Sequence, residues 1–470
     1  MSAIIRTAEA VRSGEERAVS VVEAALQEAR TDVLGAFVQL QIDQALQRAM
    51  DIDKAIDRGE DPGALAGVPI AIKDNIAQAG EPLGCASRML RDYTAPRSAT
   101  AVQRLIAAGA IPIGRTNMDE FGMGSSGENS AVGPTKNPWD HDRVPGGSSS
   151  GSAAAVAAGI VPAALGSDTG GSVRQPASMC GIVGLKPTYG RISRNGLVAF
   201  GSSVDQVGPM AQSVRGAAAL LQAMAGPDPL DSTCMHQAPA DWIRACDQDP
   251  RGLRIGLPAQ CWTSAGPVED RVRTTVEGLE SMGVELIKVD LPSLKMAIPT
   301  YYLLTSAEAS SNLSRFDGVR YGHRATAESL TQMYEETRTE GFGPEVQRRI
   351  LLGTFALSAG YAEDHYEKAD AVRDQMRMEI SQALTTVDAL AMPTAPSTAF
   401  LLGERVHDPV SMYLSDIFTT PPSLTGHPAI SVPAGLVDEL PVGLQLVGRI
   451  ADESTILALA ASVETWLGPL

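Results

Sequence analysis

The chain has 470 residues, 44% of them hydrophobic and 20% charged, which is globular chemistry with material for a large core and excludes a disordered or low-complexity chain. Its formal net charge of −17 argues against a protein that grips nucleic-acid phosphates broadly by itself. Only 4% of residues are aromatic, so the core must be aliphatic.

In chain order, Ser20-Val21-Val22-Glu23 reads as a capping box opening a helix to Arg30. A second helix is expected over Leu40 to Arg58, broken by Gly59 and Pro62. Gly67 to Asp74 is a short apolar run ending in charge, the pattern of a buried strand. A helix over Thr100 to Ala108 and a strand over Ile111 to Gly114 continue an α/β alternation. From Asn117 to Gly208, Gly, Ser, Thr, Pro and Asn dominate. Only a helix at Ser152 to Ala158 and a strand at Ile182 to Lys186 are expected to interrupt this loop-rich zone. Loops that long inside a compact chain are usually functional. Residues 294–384 are charged and helix-periodic, and read as a helical insertion or cap within one domain spanning 1–470. Strands at Val387 to Ala391, Ala429 to Val432 and Val442 to Leu446 follow, and a helix from Glu453 to Leu467 closes the chain.

Five scattered cysteines (Cys85, Cys180, Cys234, Cys246, Cys261) form no C-x-x-C, which favours reduced thiols in the cytoplasm. Residues 1–17 interleave arginines and glutamates, so neither a secretory signal nor a transit peptide is expected. No apolar run is long enough for a membrane span. There is no Gly-Lys pair, hence no P-loop, and the six histidines have no ligand spacing, so no metal is expected. Gly147-Ser148-Ser149-Ser150-Gly151 matches G-x-S-x-G, but Asn137 to Pro145 is poor strand material and a nucleophile elbow needs a strand there. The adjacent pair Asp119-Glu120 is a weak acid/base candidate, because sequence neighbours tend to point apart.

A better constellation joins Lys73 at the end of an apolar strand, Ser148 after two glycines, and Ser172 in Gly166-Ser167-Asp168-Thr169-Gly170-Gly171-Ser172. A serine nucleophile needs a base. Lysine serves only if desolvation lowers its pKa from ~10.4, and the Val68 to Ile72 run could supply that. Strand alternation would turn Asp74 to the opposite face. Thr169 to Ser172 offers successive N–H groups, a nest for an oxyanion.

Lys73 in Gly-Val-Pro-Ile-Ala-Ile-Lys-Asp, Ser148 in Pro-Gly-Gly-Ser-Ser and Ser172 in Gly-Ser-Asp-Thr-Gly-Gly-Ser-Val-Arg, spaced 75 and 24 residues apart, resemble the amidase signature family over nearly the whole chain. The resemblance implies an α/β fold: one amidase-signature domain with a central mixed β-sheet, helices on both faces and a helical insertion. It implies a Ser–Ser–Lys triad in which Ser172 is the nucleophile, Ser148 (after a cis peptide) relays the proton and neutral Lys73 is the terminal base. The N–H groups of Thr169, Gly170, Gly171 and Ser172 would form the oxyanion hole. Ser150 departs from the family's usual Gly.

Within the family, Asn117 to Ser126, Gly133 to Trp139, Glu308 to Leu313, Arg348 to Gly353 and Met412 to Ile417 are similar to the glutaminase subunits of tRNA-dependent amidotransferases. That likeness implies glutamine hydrolysis here. Ammonia would pass to a partner subunit that amidates Glu-tRNA(Gln) or Asp-tRNA(Asn) with ATP. Arg349 would pair the glutamine carboxylate and Asp416 its ammonium, with Tyr302, or else Tyr301, beside them. No cofactor is expected in this chain. ATP and Mg²⁺ would belong to the partner, two partner subunits (B and C) are implied, and tRNA would be met mainly through a partner. Two other readings stand: a free-standing amidase of apolar or aryl amides, and a non-catalytic scaffold whose Gly/Ser loops bind an anion.

Overall fold

The computed structural model describes residues 2–263, 265–358 and 362–469. Eleven strands form a single sheet: β1 (Phe37–Leu40), β2 (Pro69–Lys73), β3 (Ile111–Thr116), β4 (Ala163–Asp168), β5 (Val183–Lys186), β6 (Gln206–Ala211), β7 (Arg254–Pro258), β8 (Glu285–Val289), β9 (Ala389–Pro393), β10 (Ala429–Val437) and β11 (Leu440–Gly448). Their order is β1-β3-β2-β4-β6-β5-β10-β11-β9-β7-β8. β2 is parallel to both neighbours, β3 and β4, while β10 and β11 form an antiparallel hairpin between β5 and β9. The sheet is therefore mixed.

Alternation along β2 sorts its side chains between two cores. Ile70 and Ile72 join one, with helices Thr100–Ala107, Val214–Met224, Pro267–Ser281 and Glu453–Leu467. Ala71 joins the other, under helices Ala18–Arg30, Ile42–Asp57 and Ser150–Ala157. Lys73 shares the parity of Ala71, so it faces the second layer, and Asp74 faces away. Helices thus cover both faces. Among the described residues, Trp242 is the one fully packed aromatic of the first core, and the second buries no aromatic, as the composition requires.

Three local expectations are corrected. The first long helix begins at Ala18, not Ser20, because the Asp53 carboxylate accepts from the N–H groups of Ala18 (2.8 Å) and Val19 (3.2 Å). That cap comes from the next helix, so no local box could reveal it. Leu40 belongs to β1 and the second helix starts at Ile42. The Gly/Ser-rich zone also holds β4, β6 and the helix Arg174–Cys180. The residues of β4 (Ala, Ala, Leu, Gly, Ser, Asp) have weak strand propensity, and pairing with β2 and β6 overrides it. Between Pro292 and Ala383 the described residues form helices and turns only. No described helix is long and apolar enough to cross a membrane.

Candidate active site

β2 ends at Lys73, β4 runs into the Asp168–Ser172 loop, and the Ser148 loop leads into helix Ser150–Ala157. Parallel pairing of β2 with β4 brings the first two ends together. Lys73 is fully buried. Its Nζ lies 2.7 Å from Ser148 Oγ, 2.8 Å from Ser149 Oγ and 3.3 Å from the Ser167 carbonyl. No carboxylate pairs with it among the described residues. Asp74 turns instead to Arg115 and to the N–H groups of Gly84 and Ala86. Burial therefore dominates and lowers the amine to about 7, against the weaker pull of Asp119, Asp168 and Asp205. A neutral amine fits the contacts: two N–H groups serve Ser149 Oγ and the Ser167 carbonyl, and the lone pair is left for the Ser148 hydroxyl.

Ser172 sits beside this pair. Its carbonyl accepts from Ser149 N–H at 3.2 Å, and its Oγ makes no hydrogen bond among the described residues. The N–H groups of Thr169, Gly170, Gly171 and Ser172 likewise have no acceptor among the described residues. The loop is fixed from behind. Asp168 takes a bidentate bond from buried Arg174 (3.0 and 2.8 Å), and Thr169 Oγ1 donates to Asp205 at 2.8 Å. Burial drives the Asp168 carboxyl up, but Arg174 more than offsets it and the group lies below its ordinary range. The Gly170 carbonyl is tied by Thr419 Oγ1 at 2.8 Å. Gly171 has φ +142°, and a Cβ there would stand 2.1 Å from Thr419 Oγ1. Gly171→Ala is therefore expected to cost about 1–3 kcal/mol of stability and roughly 10²-fold or more in kcat, since the free N–H row would be displaced. Thermal melts and initial rates check this.

The second group lies next to this loop. Tyr301 and Tyr302 come from helix Ala297–Asn312, Arg349 from helix Pro344–Ala356, and Asp416 from the turn after helix Pro409–Leu414. Tyr301 packs on Gly170, where a Cβ would be 2.8 Å from its hydroxyl. Tyr302 faces Arg349: the guanidinium carbon is 4.4 Å from its ring centre, and Nη2 is 3.4 Å from its hydroxyl. The Tyr302 ring stacks on Tyr413 at 3.8 Å. Arg349 Nε donates to Glu345 at 2.6 Å and Nη2 is taken up by Tyr302, which leaves Nη1 without an acceptor among the described residues. Asp416 accepts through Oδ2 from Ser125 Oγ, while its buried Oδ1 has no partner among the described residues. Burial raises this carboxyl to about 7, against the bond from Ser125 and the pull of Arg174 and Arg349. Thr419 N–H (3.2 Å) and Thr420 Oγ1 (2.7 Å) bond to the Asp416 carbonyl, so one turn holds both Asp416 and the Gly170 loop.

The triad candidates and the residues expected to read the substrate ends thus form two groups, linked through Tyr301 and Thr419 at the Gly170 loop. Ser149, Glu345, Ser125 and Tyr413 had not been singled out. Glu345 had a signal, four residues before Arg349 on one helix face; the other three had none that chemistry alone could rank. The Gly147–Ser148 peptide is cis. Ser150 is accommodated by Thr135 Oγ1 at 3.1 Å. Asp119 and Glu120 do point apart. The first caps Gly127 and Asn129, and the second bonds Ser87 and Gly343 N–H.

A buried amine lowered to about 7 against one serine, with a second serine hydroxyl and a row of N–H groups that have no partner among the described residues, is equipment for acyl transfer. The Amidase family model matches residues 20–457. The A-type subunit of a glutamyl-tRNA(Gln) amidotransferase from Chloroflexus aurantiacus is 52% identical over 95% of this chain and 93% of its own length. The crystal structure of the corresponding A-type subunit of glutamyl-tRNA(Gln) amidotransferase from Thermotoga maritima superposes with a TM-score of 0.80, at 41% identity over 96% of this chain and 92% of that one. The native peptide amidase of Stenotrophomonas maltophilia follows the same fold at a TM-score of 0.83, with 31% identity over 98% and 96%. The chain belongs to the amidase family.

Proposed function

We propose that this chain is the glutaminase subunit of a tRNA-dependent amidotransferase. It hydrolyses glutamine and hands the ammonia to a partner that amidates Glu-tRNA(Gln), or Asp-tRNA(Asn), with ATP and Mg²⁺ bound at that partner. The observation that carries the reading is the paired-charge group beside the Gly170 loop. Arg349 keeps Nη1 without an acceptor and Asp416 an unpartnered buried oxygen among the described residues, and Thr419 ties the Asp416 turn to the Gly170 loop. A greasy or aryl amide has no use for either group. The 52% likeness to an amidotransferase subunit, against 31% to a peptide amidase, points the same way.

In the reaction, Lys73 takes the Ser148 proton while Ser148 takes that of Ser172. Ser172 Oγ then attacks the side-chain amide carbon of glutamine. The N–H groups of Thr169 to Ser172 receive the oxyanion. On collapse the C–N bond breaks, and the proton returns through Ser148 to the leaving nitrogen, so that ammonia departs. Water then enters by the same relay and releases glutamate from the Ser172 ester. Tyr301 and Tyr302, with Arg349, come from the helices within 294–384, which we assign as a cap over the site inside one domain of 1–470. Two partner subunits, B and C, complete the assembly in the cytoplasm, and tRNA is met mainly through them.

The test uses the chain with and without its partner subunits. Glutamine hydrolysis should be weak alone, rise with partners present, and support ATP-dependent amidation of charged tRNA. Asp416→Asn should raise KM for glutamine by about 10²-fold, since a charge-assisted pair is lost. Brisk cleavage of aryl amides with no response to partners would overturn the assignment.

A further inference from the structure

We propose that Gln175 is a positioning residue that ties the serine pair to the group reading the substrate ammonium, so that turnover depends on that ammonium being present. The inference rests on the glutaminase reading above. Gln175 is fully buried in the first turn of helix Arg174–Cys180, just after Ser172. Its backbone N–H bonds the Gly171 carbonyl at 2.8 Å. Both ends of its side-chain amide are in use. Oε1 accepts from Gly147 N–H at 3.0 Å, next to the peptide that carries Ser148, and Nε2 donates to the Ser125 carbonyl at 2.9 Å. Ser125 in turn donates from its hydroxyl to Asp416. One amide therefore joins three segments: the helix that follows the nucleophile, the loop of the relay serine, and the loop that orients the ammonium reader.

The fit leaves no slack. A Cβ at Gly146 would stand 2.4 Å from Gln175 Oε1, so the relay loop packs directly on the amide. No other side chain of this size does the same work. A carboxylate has no proton for the Ser125 carbonyl, and a hydrocarbon strands a buried N–H and a buried C=O together. Asp416 Oδ1 has no partner among the described residues to settle it. An ammonium bound there fixes Asp416 against Ser125, Ser125 against Gln175, and Gln175 against the Gly147 N–H. Gln175 itself moves no proton in this scheme.

The test compares glutamine with its des-amino analogue, 4-carbamoylbutanoate, in the assembled complex with its partner subunits. Wild type is expected to favour glutamine in kcat as well as in KM. Gln175→Met should lower kcat for glutamine by about 10- to 100-fold and change kcat for the analogue by less than about threefold, so the preference in kcat collapses. Ser125→Ala keeps the backbone carbonyl and removes one hydroxyl. It should compress the same ratio in the same direction, and it decides the matter by itself if Gln175→Met does not fold. An equal loss on both substrates, or an unchanged kcat ratio, overturns the positioning role and leaves the glutaminase reading standing. A wild-type enzyme without preference for glutamine overturns both.

Discussion

Ser172→Ala is expected to stop glutamine hydrolysis, with a loss on the order of 10⁶ in kcat, the scale seen when a serine nucleophile is removed. The hydroxyl makes no hydrogen bond among the described residues, so its removal breaks none. Melting temperature should therefore hold while ammonia release vanishes. Two further readouts sharpen the case. Hydroxylamine should trap a glutamyl ester from wild type and none from the variant. Ammonium chloride supplied in place of glutamine should restore tRNA amidation by the complex, because only the nitrogen source has been lost. A scaffold that binds anions through its Gly/Ser loops would be indifferent to the change. Retained hydrolysis would remove Ser172 from the reaction altogether.

Lys73→Met should abolish activity and raise stability together. Keeping an amine neutral at about 7 instead of its ordinary 10.5 corresponds to roughly 4–5 kcal/mol of opposed charging. Met fills the same space with no charge to suppress. It leaves Ser148 and Ser149 one partner short, which offsets part of the gain, so a net ~1–3 kcal/mol is expected. The sign with pH is fixed. The folded chain gives up this proton at a lower pH than the unfolded chain does, so wild-type stability grows as pH rises from about 7 towards 10.5. The advantage of Met is therefore largest at pH 7 and below, and fades above it. Urea melts at about pH 7 and about pH 9.5 check this; an advantage that widens with pH contradicts a neutral lysine. The same titration governs rate. Glutamine kcat/KM should fall as pH drops through about 7, since protonated Lys73 cannot accept the Ser148 proton, and protonated Asp416 loses its hold on the ammonium.

Much of this is legible in the residues themselves. The run from Gly67 to Asp74 reads as a buried strand ending in charge, and the strand found, Pro69–Lys73, is buried along its whole length. The closing helix also ends where Gly468 stops it. What escaped was long-range. β4 is a strand because β2 and β6 flank it, and its own residues argue for a loop. The cap on Ala18 comes from Asp53, 35 positions on. Tyr301 and Tyr302 are neighbours on a helix, yet one meets Gly170 and the other Arg349, a division of labour that no pattern encodes. Composition required aliphatic sheet cores, and it said nothing of where the aromatics would go. Few are spent on the two sheet cores, and they collect instead around Arg349 and beneath it.

The position of the last hairpin has a consequence for the order of synthesis. β10 and β11 close the middle of the sheet, and Asp416 arrives just before them, some 340 positions after Lys73. A nascent chain thus holds its amine and both serines before it holds the Asp416 turn that ties the Gly170 loop, or the two strands that join β5 to β9.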